Sequence, residues 1–197
     1  MNAIEHHPFE PFLPTNAKML MLGSFPPAEK RWTMPFYYPN YINDMWRIFG
    51  IVFFHNKEYF VDAPNKTFKL DLLKQFLQQK GVALYDTATA VIRSTGTAAD
   101  KDLVVVTPTD VAGLLRQIPL CKALVTTGEK ATKVLQQLFN ITKTPKVGQF
   151  VTFTFEGRTL KLYRMPSSSR AYPMKIERKA ELYKPMLLEL LNNNNPI

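Results

Sequence analysis

The sequence predicts an α/β fold: a three-layer α/β/α sandwich around a central, mostly parallel, four-stranded sheet. Three observations carry this expectation. Short apolar runs alternate along the chain with amphipathic segments of helical period. Each apolar run stops abruptly in small, rigid or acidic residues, as a buried strand does where it ends at a loop. The 197 residues, 46% hydrophobic and 21% charged, are enough for one domain with a sizeable core.

The elements follow in order. Residues 17–23 (Ala-Lys-Met-Leu-Met-Leu-Gly) read as the first strand. Residues 41–54 place Ile42, Met45, Trp46, Phe49 and Phe53 at helical spacing. Residues 68–80 repeat the pattern with Leu70, Leu73, Phe76 and Leu77, and Gly81 follows as a C-terminal cap. Val82-Ala83-Leu84-Tyr85 is the second strand, ending at Asp86-Thr87. Thr109 or Asp110 caps a short helix through Ile118. Lys122-Ala123-Leu124-Val125-Thr126-Thr127 is the third strand; it breaks at Gly128, before a helix over 129–139. Residues 150–155 and 159–163 alternate about Glu156-Gly157 as a β-hairpin, and a last helix covers 174–191. No repeat, linker or domain boundary interrupts the pattern, so 1–197 reads as one domain with 1–16 and 192–197 as peripheral tails. The right-handed crossover rule gathers the strand ends on one edge of the sheet, where open α/β proteins bind their ligands. Functional residues are therefore expected at 23–27, from Asp86 onward, at Gly128 and at 166–170.

Composition narrows the function classes. No apolar stretch approaches the roughly 20 residues of a membrane span, and the N-terminal residues lack a basic-then-apolar leader pattern. A cytoplasmic, monomeric protein is expected. The single cysteine, Cys121, cannot form an internal disulfide, and a cluster held by four thiolates is excluded. One Cys and three His argue against a structural zinc site, and His6-His7 reads as an exposed tail feature rather than a ligand pair. Neither a metal nor another cofactor is expected. The net charge is +9, and residues 143–184, with ten Lys/Arg against three acids, hold +7 of it. Such a basic surface fits a polyanion, most naturally nucleic acid, or a solvated basic face; charge alone does not separate the two.

The chemistry is bounded in the same way. There is no Gly-x-Gly-x-x-Gly, no Walker loop and no Gly-x-Ser-x-Gly elbow. Ser167-Ser168-Ser169 has no evident His partner, so a serine hydrolase is disfavoured. Three hydroxyls after Pro166 are better suited to phosphate oxygens, with Arg170 and Lys175 as neighbouring cations. Residues 35–46 hold five aromatics and two amides, a composition that suits a planar, hydrogen-bonding ring such as a nucleobase. Helical spacing assigns Trp46 and Phe49 to the core; Tyr37, Tyr38 and Asn43 flank the strand-end loop and are read as functional.

Four blocks in order resemble the uracil-DNA glycosylase superfamily, and most closely its mismatch-specific uracil/thymine and hypoxanthine-DNA glycosylase branch. They are Gly23-Ser24-Phe25-Pro26-Pro27; Tyr37-Tyr38 through Asn43-Asp44-Met45-Trp46; Gly81 through Asp86 with Arg93-Ser94-Thr95-Gly96-Thr97 and Asp100; and Met165-Pro166-Ser167-Ser168-Ser169. The resemblance implies a monofunctional DNA glycosylase of base-excision repair. Such an enzyme hydrolyses the N-glycosidic bond of a flipped deaminated base, uracil or hypoxanthine, without a metal or organic cofactor. By residue-wise match Asn43 is the catalytic candidate. Gly23, Ser24, Phe25, Pro26, Tyr37, Tyr38 and Asp86 form the base pocket. Pro166, Ser167, Ser168, Ser169, Arg170 and Lys175 contact DNA.

The departures from the family pattern are equally specific. Phe25 stands where many relatives carry an Asp or Asn that handles water, and it would pack beneath the base instead. Met165 replaces a His or Asn. Arg170 would enter the minor groove, fill the gap of the flipped base, or contact phosphate. Asp44 is read as a first-turn acid favoured by the helix dipole, Asp86 as a brace for its loop, and Gly128-Glu129-Lys130 as a helix start with amides toward phosphate. Two other readings stand beside this one: a catalytically silent nucleic-acid-binding relative of the same fold, and a nucleotide-binding enzyme of small molecules.

Overall fold

The computed structural model describes residues 3–93 and 103–192. The elements in order are β1 (Ile4–His6), β2 (Met19–Gly23), α1 (Met45–Phe54), β3 (Val61–Asp62), β4 (Thr67–Phe68), α2 (Leu70–Lys80), β5 (Val82–Asp86), β6 (Ala88–Arg93), β7 (Leu103–Pro108), α3 (Val111–Gln117), β8 (Ala123–Thr126), α4 (Glu129–Leu138), β9 (Gln149–Phe155), β10 (Arg158–Arg164) and α5 (Ile176–Leu191). The fold is mixed α/β.

The main sheet has the strand order β5-β2-β8-β10-β9. β5, β2, β8 and β10 run parallel, and β9 pairs antiparallel with β10. The expected four-stranded sheet is thus corrected to five. The hairpin turns at Glu156 and Gly157, both with left-handed φ. That turn lets β9 pair with β10 along its whole length and extend the sheet by one edge strand. The Met-Leu-Met-Leu run of β2 is buried throughout, because an interior parallel strand is covered on both faces. Full burial of side chains such as Leu20 and Leu22 contributes roughly 1.5–3 kcal/mol each.

The helix caps follow the sequence signals. Gly81 adopts φ 77° and its N–H donates to Leu77 O at 3.0 Å, and the Asp110 carboxylate accepts from Gly113 N–H at 2.9 Å. The helix expected over 41–54 begins only at Met45, because Asn43 N–H closes a turn onto Asn40 O.

A second sheet was not foreseen. It has the order β1-β6-β7, all antiparallel. It also corrects the N-terminal tail: β1 pairs with β6, and Phe12 makes an isolated bridge to Leu84 of β5. The C-terminal tail beyond Asn192 lies outside the described residues, as does the 94–100 part of the middle block.

Register brings Gly23 beside Asp86, Leu22 beside Thr126 and Thr126 beside Arg164, so four parallel strands end together. The chain moves from β2 to β5 on one side and returns to β8 on the other. The loops after these strands therefore meet where strand order reverses, at the place such sheets bind ligands.

Candidate active site

One cleft opens over these strand ends. It is lined by the loop after β2, by Tyr37 to Asn40 and Asn43, by Asp86, by Thr127 and by Ser167 to Ser169. All the expected base-pocket residues, Gly23, Ser24, Phe25, Pro26, Tyr37, Tyr38 and Asp86, contribute to it, as does Asn43. At Gly23 a Cβ would sit 2.6 Å from Asp86 Oδ1, so any side chain there would displace that carboxylate.

Asn43 stands at the turn into α1. Its Oδ1 accepts the Met45 N–H at 2.9 Å. A backbone N–H can only donate, so this bond fixes which end of the amide is oxygen. Nδ2 is left as a donor with no protein partner among the described residues. The Tyr37 hydroxyl donates to Glu10 O at 2.9 Å, and burial, reinforced by Asp86, holds its phenol well above the ordinary tyrosine range. Tyr38 has left-handed backbone (φ 51°), which a bulky residue adopts only when its surroundings hold it. Its hydroxyl lies 3.5 Å from Thr127 Oγ1, and burial raises this phenol as well. Trp46 and Phe49 are fully buried core residues, as their spacing predicts.

Asp44 corrects its expected role. It occupies the N-cap position of α1, but its carboxylate makes no capping bond. The carboxylate is buried, with Oδ2 2.9 Å from Lys179 Nζ and Oδ1 3.4 Å from Arg170 Nε. Lys179 is completely buried and also donates to Ser169 O at 2.8 Å. The Asp44 N–H donates to Ser168 O at 3.0 Å. Helix start, serine loop and α5 are thereby joined beside Asn43.

Within the serine loop, Ser167 Oγ accepts from Ser169 N–H and Ser169 Oγ from Ala171 N–H, each at 3.2 Å. These two hydroxyls shape the loop through local turns. The Ser168 hydroxyl has no protein partner among the described residues and lines the cleft. Pro166 is buried, and its carbonyl accepts the Tyr183 hydroxyl at 2.8 Å, so it braces the loop from beneath. Arg170 and Lys175 are exposed and lie outside the cleft lining. Arg170 faces a neighbouring depression that also holds Arg47 and Lys57. Gly128, in extended backbone, caps α4 and does not line the cleft; Thr127, which the sequence reading passed over, does.

His7 overturns the exposed-tail expectation. Its side chain is 2% exposed, and Nε2 lies 2.9 Å from Asp86 Oδ2. Phe9, Phe25, Tyr37 and Tyr85 surround the imidazole with ring centroids 4.5 to 6.1 Å away. Phe25 packs on this ring and on Ala88, Val91 and Leu103 of the second sheet. Arg93 donates to Pro26 O at 3.0 Å and pairs with Glu5, bracing the first loop from behind. The period-two and period-3.6 signals carry no information about such pairs, so neither His7 nor Lys179 could be placed from sequence. Among the described residues no group of three or more His, Cys, Asp or Glu could hold a metal ion, and no helix is long and apolar enough to cross a membrane.

No protein-family model matches the chain, and no curated protein matches it in sequence. Among solved structures, the chain is similar to the solution NMR structure of a provisionally assigned uracil DNA glycosylase from Methanosarcina acetivorans. The TM-score is 0.66 at 20% identity, over 96% of this chain and 100% of that one. A likeness at this identity establishes the fold and leaves the chemistry to the residues.

Proposed function

We propose that this chain is a monofunctional DNA glycosylase that hydrolyses the N-glycosidic bond of a flipped, deaminated base, uracil or hypoxanthine, as a step of base-excision repair. The observation that carries the reading is Asn43. Its amide is locked by Met45 N–H so that an unpaired donor is offered at the cleft. When the glycosidic bond breaks, negative charge develops on the departing base and positive charge on the sugar. A preorganised donor aimed at the base lowers the barrier, because it is oriented before the charge appears. Tyr37, Tyr38 and Phe25 supply aromatic walls for a planar ring. Ser168, Arg170 and Lys175 serve the phosphate backbone, and the net positive charge of the chain favours DNA. No step of this reading calls for a metal or organic cofactor. The similarity in fold to the provisionally assigned uracil DNA glycosylase supports it.

The test is an oligonucleotide panel carrying one uracil, hypoxanthine, xanthine or mismatched thymine. The purified protein is expected to leave alkali-cleavable abasic sites at the position of at least uracil or hypoxanthine, and Asn43→Ala to lose about 100-fold or more of that rate while DNA binding persists. Absence of product from every substrate would sink the enzymatic reading. A second reading, a binding protein of the same fold without chemistry, is favoured by Phe25, whose ring stands in an apolar cluster where a polar group would serve water. That reading predicts salt-sensitive DNA binding and no abasic product.

A further inference from the structure

Resting on the glycosylase reading, we propose that Asp86 is a second catalytic residue, which holds and deprotonates the attacking water, and that His7 is the positioning residue that fixes it.

The two oxygens of Asp86 have separate surroundings. Oδ2 is held by His7 Nε2 at 2.9 Å. Oδ1 has no protein partner among the described residues, and it lies in the cleft beside Gly23. Every buried side-chain nitrogen and oxygen among those residues has a hydrogen-bond partner, so an oxygen without one is in reach of solvent. The side chain missing from Gly23 is what gives Asp86 its room: a carboxylate from the neighbouring strand reaches in over β2 where Phe25 brings only carbon.

Charge decides what this oxygen is for. A carboxylate set against the base would oppose the anion that leaves, whereas one set against the sugar stabilises its developing positive charge. Asn43 supplies the neutral donor, and Asp86 supplies the anionic acceptor. In the proposed step a water oxygen forms a bond to C1′ of the sugar as the C1′–N bond breaks. The electron pair of that bond goes to the base, which departs as an anion facing Asn43 Nδ2. The proton of the water passes to Asp86 Oδ1.

His7 suits the positioning role. With Nε2 donating to Asp86, Nδ1 sits 3.2 Å from the Phe9 N and 2.9 Å from the Phe9 O. Both ring nitrogens are thereby anchored, one at Asp86 and one at the Phe9 backbone, and four aromatic rings pack around the imidazole.

Single-turnover excision with enzyme in excess tests this, using the substrate the wild-type protein processes best. Asp86→Asn is expected to slow base release by about 100-fold. His7→Ala is expected to slow it by between about tenfold and 100-fold, the usual cost of a misplaced group. DNA affinity should stay within about threefold of wild type in both, the split expected when only transition-state interactions are lost. His7→Gln, whose amide can still donate to Asp86, is expected to recover most of the rate; a purely structural histidine would show no such rescue at equal folded fraction by circular dichroism. Wild-type rates in Asp86→Asn and His7→Ala overturn the proposal. So does a change in which base is released at an unchanged maximal rate, since Asp86 would then read the base. Should Asp86→Asn fail to fold, the histidine pair decides: equal release by His7→Ala and His7→Gln overturns it. If the wild-type protein releases no base at all, the glycosylase reading itself fails, and this inference with it.

Discussion

The two walls of the cleft are built from different physics. One wall, Asn43 with the serine loop, is held by charge: Asp44, Lys179 and Arg170 tie helix start, loop and α5 together, with Lys179 completely buried. The other wall, the loop after β2 with Asp86, is held by packing: four aromatic rings close around His7, and Phe25 leans on the second sheet. Buried charge is unforgiving when one partner is removed, because the other is stranded in low dielectric. Aromatic packing is graded, since each ring contributes a part and its neighbours relax around a small change. The wall that presents the proposed donor to the base is therefore all-or-none, and the opposite wall is adjustable.

The largest effect should come from the charged wall. Lys179→Met removes the buried partner of Asp44 Oδ2 and leaves the carboxylate only the longer, half-exposed Arg170 contact, and it is expected to lower the unfolding free energy by about 3–5 kcal/mol, measured by urea denaturation. Adding Asp44→Asn should recover a good part of this; a single-variant cost below about 1 kcal/mol would show that the wall does not depend on charge. Gly23→Ala comes next, on the packed wall. Its methyl would meet Asp86 Oδ1 at 2.6 Å, and overpacking of this kind costs about 1–3 kcal/mol. The displaced carboxylate should also shift the His7 imidazole resonances in NMR. Tyr37→Phe removes only the bond to Glu10 O and is expected to cost about 1 kcal/mol in the same denaturation assay. Arg170→Ala should change stability least, within about 0.5 kcal/mol, because its side chain is half exposed. Its effect belongs in binding, where the dependence of DNA affinity on salt should flatten by roughly one phosphate contact.

How much of this was legible in the sequence differs between the walls. The strand ends at Gly23 and Arg164 could be read because apolar runs stop there in Gly or Pro; the serine loop followed from composition nearby, and Asn43 was singled out as catalytic only by its match to the resembled family block. β6 escaped because it begins two residues after β5 with no turn residue between, and β1 because three residues are too few for a period to show. His7 escaped because two adjacent histidines near the start of a chain look like solvent-exposed residues. Lys179 escaped because a lysine on a helix is almost never fully buried unless paired, and its partner lies far away in sequence. Local signals place elements; they do not say which distant side chain will neutralise which.

That separation has a consequence in time. The bond from Lys179 to Asp44 joins residues 135 positions apart, and the one from His7 to Asp86 joins residues 79 apart. Contacts between such distant positions form only after the intervening chain has been ordered, and they slow folding accordingly. A ribosome-bound chain emerging N-terminus first can assemble the histidine side of the cleft while α5 is still unmade. The charged wall closes last, so a chain halted before residue 179 would carry half a cleft and an Asp44 carboxylate still lacking its buried partner.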